Sequence, residues 1–197
     1  TLGWNLALGW AATKPDSLAL HIDASPQGIA LQQWGRQDYT AIAADSFRHC
    51  PPRGDHPCFL VGPSNPDFVP LTQISPYLRQ GLMSNEDGSF YWHQGFNIKA
   101  IRQSMLTNLR SGGFRRGAST ISMQLVKNAY LGHEKTVGRK LEEVAIVLLM
   151  EHLNLVPKKR MYEVYLNIIE WGPGVYGVGP ASRFYFGKHP AFISPAE

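Results

Sequence analysis

The sequence predicts a mainly α-helical domain over residues 66–197, preceded by a small β-containing unit over residues 1–65. Before residue 65, alternating runs such as "SLALHIDASPQGIALQQW" are broken by Ser-Pro and Gly, which is typical of strands and turns. After it, apolar residues recur at helical spacing between capping residues. The two parts are joined by "CPPRGDHPCFLVGPSNPDFVP", whose six prolines predict an extended connector.

The first helical signal is "NIKAIRQSMLTNLRSGG". Asn97 is a suitable N-cap, and Gly112 is a suitable stop. The helix carries one apolar stripe, formed by Ile98, Ile101, Met105 and Leu109. A second helix is predicted in "STISMQLVKNAYL", where Ser119 or Thr120 supplies the cap.

Two further helices follow in "TVGRKLEEVAIVLLMEHLNLV", predicted to end before Pro157, and "KKRMYEVYLNIIEW". The first of them repeats apolar residues at Val137, Leu141, Val144 and Leu148. The turn-rich "GPGVYGVGP" closes the second, and this region is interpreted as a core helix with a compact loop.

Composition indicates a folded globular protein, with 44% hydrophobic and 17% charged residues. No stretch approaches the ~20 apolar residues of a membrane span. The apolar start, "TLGWNLALGWAA", lacks a basic flank and a cleavage site, which favours a core or interfacial segment over the trailing edge of a removed anchor.

The formal net charge is +4, and the excess is concentrated in one region. Residues 102–160 contain eleven Lys or Arg against four Glu. Such a stretch is either a solvated basic face or a surface that seeks phosphates, nucleic acid or anionic lipid.

The only two cysteines, Cys50 and Cys58, stand eight residues apart in "HCPPRGDHPC". A small disulfide-closed loop is favoured, which would indicate an oxidising compartment. Free thiols and a zinc site with His49 and His56 remain open, although the spacing is poor for zinc.

Three segments contain residues suited to chemistry. In "EDGSFYWHQG", the pair Glu86 and Asp87 is either a surface turn or a carboxylate in a half-apolar cleft, where partial desolvation would make it a usable base. His93 alone is more typical of a structural hydrogen-bonding residue.

In "RRGASTISMQLVKN", hydroxyls and free amides at a helix start suit an anion, although ordinary capping explains them too. Gln124 and Lys127 fall on the same face as Thr120. In "GRKLEEVAIVLL", Arg139, Lys140 and Glu143 cluster on one helix, either as a structural ion pair or as a carboxylate among phosphate-binding cations. Glu142 competes for the role of Glu143.

In this order the segments resemble the peptidoglycan glycosyltransferases, family 51, and most closely the monofunctional biosynthetic transglycosylases. The pattern ED-x-x-F-x-x-H-x-G runs from Glu86 to Gly95, and G-[GA]-S-T-[IL]-[ST]-x-Q-L-x-K-N runs from Gly117 to Asn128. R-K-x-x-E begins at Arg139, and E-x-Y-L-N begins at Glu163. The match covers about residues 68–197.

The resemblance implies a lysozyme-like helical fold and the polymerisation of lipid II on the periplasmic face of the bacterial inner membrane. It implies that Glu86 is the general base that activates the acceptor 4-hydroxyl, and that Glu143 assists departure of the pyrophosphate, either directly or through a divalent metal. The substrate-binding residues implied are Asp87, His93, Ser119, Thr120, Gln124, Lys127, Asn128, Lys135, Arg139 and Lys140.

The resemblance also implies partners: lipid II, the growing glycan strand, the membrane surface and other cell-wall synthesis proteins, but no nucleic acid. No protein-bound metal is expected, although a divalent cation, Mg²⁺ or Mn²⁺, is conceivable with the pyrophosphate. Leu106, Leu109 and Phe114 fall where the family has a mobile jaw that touches the membrane.

The sequence departs from the family at Met123, where glutamine is usual, and at Gly88, where a larger polar residue is common. It ends at "ISPAE", where relatives continue, which predicts a C-terminally truncated domain. Two alternative functions therefore stay open: a non-catalytic lipid-pyrophosphate-binding scaffold with the same fold, and a lysozyme-like glycan hydrolase.

Overall fold

The computed structural model describes the backbone of residues 2–7, 19–25 and 28–34, and the full residues 38–52, 54, 56–113, 117–131 and 136–197. Six α-helices lie within these ranges: α1 (Pro76–Asp87), α2 (Ile98–Ser111), α3 (Ile121–Tyr130), α4 (Val137–His152), α5 (Lys158–Ile168) and α6 (Val178–Phe186). The predicted mainly helical domain is therefore confirmed. None of the described helices combines the length and the apolar character needed to cross a bilayer.

Within the described residues, the strands form three small antiparallel sheets. The first contains β1 (Leu2–Ala7), β2 (Ala19–Ser25) and β3 (Gly28–Trp34) in that order. β4 (Phe47–His49) pairs with β5 (Phe59–Val61), and β6 (Glu170–Gly172) pairs with β7 (Val175–Tyr176). Strands thus occupy the N-terminal unit, as the alternating runs predict, and the apolar start forms β1.

Cys50 and Cys58 form a disulfide that joins the end of β4 to the start of β5. The disulfide prediction is confirmed, and the free-thiol and zinc alternatives are wrong for this structure. The described residues contain no group of three potential metal ligands.

α5 is the centre of the helical core. Seven of its eleven residues are buried, because α3, α6 and the 3₁₀ turn Ala41–Ala43 all pack against it. Tyr39, Ile42 and Val61 belong to the same hydrophobic cluster as the helices. The division at residue 65 stays a prediction, but residues 38–61 already share the helical core.

Capping explains where several helices begin and end. The Asn97 side chain accepts a hydrogen bond from Ala100 N, and Gly112 ends α2 in the left-handed region at φ 66°. Thr120, rather than Ser119, caps α3. α4 ends at His152, ahead of Pro157 as predicted, and Asn154 just beyond it adopts φ 49°.

α1 and α6 were not predicted. α1 begins with Pro76 and contributes only half-buried apolar side chains to the core, so its periodic signal is weak. α6 follows a glycine-rich run and contains Pro180 in its first turn. Proline is tolerated there because the first four amides of a helix have no partner within it.

The apolar stripe of α4 does not face the core. Val137 is 78% exposed and Leu141 is 59% exposed. The buried face consists of Glu143, Ile146, Val147, Met150 and Glu151. The prediction of one apolar stripe misses this face because α4 carries apolar residues on more than one side, and two of its core positions are glutamates.

We expect Gly179→Ala to destabilise the fold and Gly81→Ala not to. A Cβ on Gly179, in α6, would lie 2.3 Å from the carbonyl oxygen of Asp67, whereas one on Gly81, in the exposed face of α1, would meet nothing within 4 Å. The first change should cost about 1–3 kcal/mol, and the second should gain up to about 1 kcal/mol through helix propensity. Urea unfolding measures both. A loss of equal size in both variants would contradict this packing.

We expect stability to fall as the pH drops below 6.5, partly because of His49. Burial, and then the nearby His56, lower the pKa of His49 from 6.5 to about 4. The unfolded chain therefore binds this proton first, and the loss amounts to about 3 kcal/mol once the pH reaches 4. The imidazole packs edge-on against Phe59, so His49→Phe keeps an aromatic ring there and removes the titration.

The measurement is the unfolding free energy of wild type, His49→Phe and His56→Gln between pH 5 and 7. The slope of the unfolding free energy against pH should decrease in His49→Phe and persist in His56→Gln. A difference between wild type and His49→Phe that does not change with pH would contradict the assignment.

Candidate active site

A cavity of about 440 Å³ lies between the C-terminal end of α1 and the segment that leads into α3. It exists because Gly88 ends α1 and Thr120 begins α3, so the last turn of one helix faces the first turn of the other. Five predicted site residues line it: Glu86, Asp87, Ser119, Thr120 and Gln124. Two segments that stand 30 residues apart in sequence thus meet in one cleft.

Glu86 is half-buried at the wall of this cavity. Its Oε2 accepts a hydrogen bond of 2.8 Å from Nε2 of Gln124, and its Oε1 accepts one of 3.1 Å from Nδ2 of Asn85. Each carboxylate oxygen has further lone pairs. The carboxylate is therefore oriented by two amides and still faces the cavity as a proton acceptor.

Asp87 is buried at the end of α1, and its carboxylate connects α1 to the following loop and to α3. Its carboxylate accepts a hydrogen bond of 2.8 Å from Nε2 of His93 and one of 3.1 Å from the backbone N–H of Ile121. A carboxylate at a helix N-terminus also interacts favourably with the helix dipole. Asp87 and His93 thus support the cavity from behind, and Nδ1 of His93 is buried without a partner among the described residues.

The start of α3 is already occupied by protein groups. Asp87 takes the amide of Ile121, and the Thr120 hydroxyl accepts from Met123 N at 3.3 Å and donates to Gly95 O at 2.6 Å. The free amides predicted for an anion at this helix start are therefore partly used by the protein. Ser119 is exposed and lines the cavity.

Gly95 lets the loop between α1 and α2 pack closely against α4. It adopts φ 89°, and a Cβ there would lie 2.5 Å from Cγ1 of Val147 on α4. Only glycine combines this backbone conformation with this closeness. The loop that carries His93 is therefore pressed directly onto α4.

Glu143 forms the ion cluster that the spacing on α4 predicts. It is 1% exposed, and its two oxygens lie 2.8 Å from Nη1 of Arg139 and 2.5 Å from Nζ of Lys140. These contacts assign the cluster to Glu143 rather than to Glu142. They do not fit a divalent cation bound directly by Glu143; a cation bound by the pyrophosphate itself stays a prediction.

The remaining predicted residues lie apart from the cavity wall. Lys127 and Asn128 are half-buried near the end of α3, and Asn128 donates to the carbonyl of Gln124 at 2.8 Å. None of Lys127, Asn128 and Glu143 lines the cavity that holds Glu86. Lys135 and Phe114 lie outside the described residues.

Sequence reasoning missed the part that α5 plays. Its Glu163 accepts from Leu71 N at 2.8 Å, and its Asn167 exchanges two hydrogen bonds of 2.9 Å with the backbone of Val69. These contacts fix the segment that enters α1. Tyr165, from the same E-x-Y-L-N motif, donates to Oε1 of Gln124 at 3.1 Å. The signal for these contacts in the sequence is the motif itself, since its polar residues alternate with the apolar residues of a core helix.

A second buried network of polar contacts lies against the ring of Phe90. Ser122 donates to Glu151 at 2.5 Å, and the same carboxylate oxygen lies 2.6 Å from Nζ of Lys158. That ammonium also stands 4.3 Å from the centroid of the Phe90 ring, within the range of a cation–π contact. The network joins α3, α4 and α5 behind the loop that follows Glu86.

Comparison with known proteins identifies the family. Residues 59–197 match the family model described as Transglycosylase. Curated relatives named "Biosynthetic peptidoglycan transglycosylase" include those of Nitrosomonas eutropha, Chromobacterium violaceum and Dechloromonas aromatica, which are 44%, 46% and 43% identical over 130 residues. Each match covers 66% of this chain and, in the same order, 52%, 56% and 55% of the relative. The chain spans about half the length of the curated relatives it matches, and it belongs to the transglycosylase family.

Proposed function

We propose that this chain polymerises the glycan strands of peptidoglycan, by inverting transfer of a lipid-pyrophosphate-linked glycan to the 4-hydroxyl of lipid II. The observation that supports this most directly is the Glu86 carboxylate, which is held by Gln124 and Asn85 at the wall of a 440 Å³ cavity. The relatives are named for the biosynthesis of peptidoglycan, which is the same product class.

In this mechanism Glu86 acts as the general base. It takes the proton of the acceptor 4-hydroxyl while that oxygen forms a bond to the anomeric carbon of the donor. The bond between the anomeric carbon and the pyrophosphate oxygen breaks, and the lipid pyrophosphate leaves with the electron pair. Attack on the face opposite the leaving group inverts the configuration.

The leaving group needs positive charge, and α4 supplies it. Glu143 holds Arg139 and Lys140 by one charged contact each, so both cations stay ordered on the same turn of the helix. Preorganised cations stabilise charge that develops in the transition state. Glu143 thus assists departure of the pyrophosphate by positioning these cations, and Lys127 and Lys135 add to the same field.

The proposed location is the periplasmic face of the inner membrane. α2 carries an apolar face that is exposed at Ile98, Met105 and Leu109, and the last of these side chains is 80% exposed. An exposed apolar helix face beside basic residues suits the boundary between lipid headgroups and acyl chains. The disulfide between Cys50 and Cys58 agrees with an oxidising compartment.

We expect Glu86→Gln to slow the polymerisation of labelled lipid II severely. The substitution removes the proton acceptor but keeps the side-chain shape, so the loss should be about 10²–10⁴-fold with little change in stability. Glu142→Gln, an acid-to-amide change on α4 outside the described cavity, is the control and should retain activity.

Each outcome separates a different function. Polymer formed at the wild-type rate by Glu86→Gln would refute the proposed base. Binding of lipid II without polymer by the wild-type chain would favour the scaffold, and shortening of preformed glycan would favour the hydrolase.

We expect Leu109→Asp to weaken binding to vesicles of phosphatidylethanolamine and phosphatidylglycerol by several-fold, because a charge replaces an apolar contact on α2. Phe192→Asp is the matched control, since Phe192 is 72% exposed but belongs to the 3₁₀ turn Pro190–Phe192. Sedimentation with the vesicles measures both. Equal losses in the two variants would show that α2 is not the membrane contact.

A further inference from the structure

We propose that Tyr165 is a positioning residue for the base Glu86, and that it acts through the side chain of Gln124. This inference rests on the proposed function and adds a residue to its machinery. The three side chains form one continuous chain of hydrogen bonds from α5 through α3 to α1. The hydroxyl of Tyr165 lies 3.1 Å from Oε1 of Gln124, whose Nε2 lies 2.8 Å from Oε2 of Glu86.

The direction of these hydrogen bonds follows from which groups can donate and which can accept. An ionised carboxylate only accepts, so Gln124 must turn its NH₂ group toward Glu86. Its carbonyl oxygen then points at Tyr165 and requires a donor. The tyrosine hydroxyl is that donor. It thereby selects the amide orientation in which Gln124 donates a hydrogen bond to the carboxylate, rather than the flipped orientation, which would place two oxygens together.

The environment keeps Tyr165 in this role. The ring is 2% exposed and lies nearly parallel to Tyr162, with 17° between their planes. Burial, and then the negative charge of Glu86, raise the pKa of Tyr165 well above its usual value. The hydroxyl therefore stays protonated, and stays a donor, throughout the neutral range.

Gln124 needs such a support because its own side chain is flexible. Three rotatable bonds separate the amide from the backbone of α3, and holding them costs conformational entropy. Two partners at opposite ends of the amide leave it one position. With the tyrosine hydroxyl removed, the amide keeps only Glu86, and both side chains gain freedom to move away from the acceptor oxygen.

Tyr165 also connects the base to the rigid part of the fold. It stands on α5 between Glu163 and Asn167, which hold the backbone of residues 69–71 at the entrance to α1. The same helix therefore places the backbone of α1 and orients the carboxylate at its far end. Positioning of this kind acts on turnover, because a reacting group held slightly out of place reacts more slowly while substrate still binds.

The test compares Tyr165→Phe with Tyr162→Phe. Both variants remove one buried hydroxyl from α5, but the hydroxyl of Tyr162 donates to the backbone carbonyl of Arg79 at 2.6 Å and has no path to Glu86 through Gln124. Tyr165→Phe should lower kcat about tenfold with little change in KM for lipid II. Tyr162→Phe should lose similar stability and keep kcat near the wild-type value.

A double-mutant cycle with Gln124→Met decides whether the effect passes through the amide. In the Gln124→Met background, Tyr165→Phe should cause no further loss of kcat. An equal loss in both backgrounds, or an equal loss of kcat in Tyr162→Phe, would overturn the proposal and leave Tyr165 as a packing residue.

A substrate-free measurement separates this inference from the proposed function. The side-chain NH₂ resonances of Gln124, identified by their disappearance in Gln124→Met, should shift in Glu86→Gln and in Tyr165→Phe but not in Tyr162→Phe. If these shifts occur while the wild-type chain makes no polymer, the proposed function fails and the hydrogen-bond chain stands. If Tyr165→Phe leaves the resonances unchanged, the inference fails whatever the activity.

Discussion

The candidate site depends on one buried carboxylate, that of Asp87. It accepts hydrogen bonds from His93 in the loop after α1 and from the first amide of α3. A buried charge is tolerated only when its hydrogen bonds are satisfied. That requirement brings three separate segments to one point, and it places Glu86, the preceding residue, opposite Gln124 on the next turn of α3.

α5 provides the second constraint, from the opposite side. Glu163 and Asn167 of its motif bind the backbone of the segment that leads into α1. Tyr165 of the same motif donates a hydrogen bond to the side-chain amide of Gln124. Most of these polar atoms are paired inside the core. Fully satisfied buried networks of this kind specify one arrangement more strongly than apolar packing alone. The contacts of the motif are therefore structural, and the role proposed for them is to position Glu86.

Much of this could be predicted from local patterns. The caps at Asn97 and Thr120, the ion cluster around Glu143 and the helical class all follow from rules that act within a few residues. What could not be predicted depends on contacts between distant segments. The buried face of α4 contains two glutamates, which are stabilised by Arg139 and Lys140 in one case and by Lys158 and Ser122 in the other.

Contacts between distant segments also explain why the occupied amide at the start of α3 and the role of Tyr165 could not be predicted. Whether an amide at a helix start is free depends on what lies opposite, and here Asp87 arrives from 34 residues upstream. In the sequence, Tyr165 looks like an ordinary core aromatic residue, and its ring is indeed buried in the core. Only the position of its hydroxyl, 41 residues away from Gln124 in the chain, reveals the connection to Glu86.

The disulfide between β4 and β5 has a consequence for following this protein in a cell. These 197 residues contain two cysteines, and both belong to that bond, so this region has a single intramolecular pairing. Alkylation of Cys50 and Cys58, followed at those two residues, therefore reports the redox history of the molecule. Both thiols should be protected in a molecule that matured in an oxidising compartment, and both should react in a molecule retained in a reducing one.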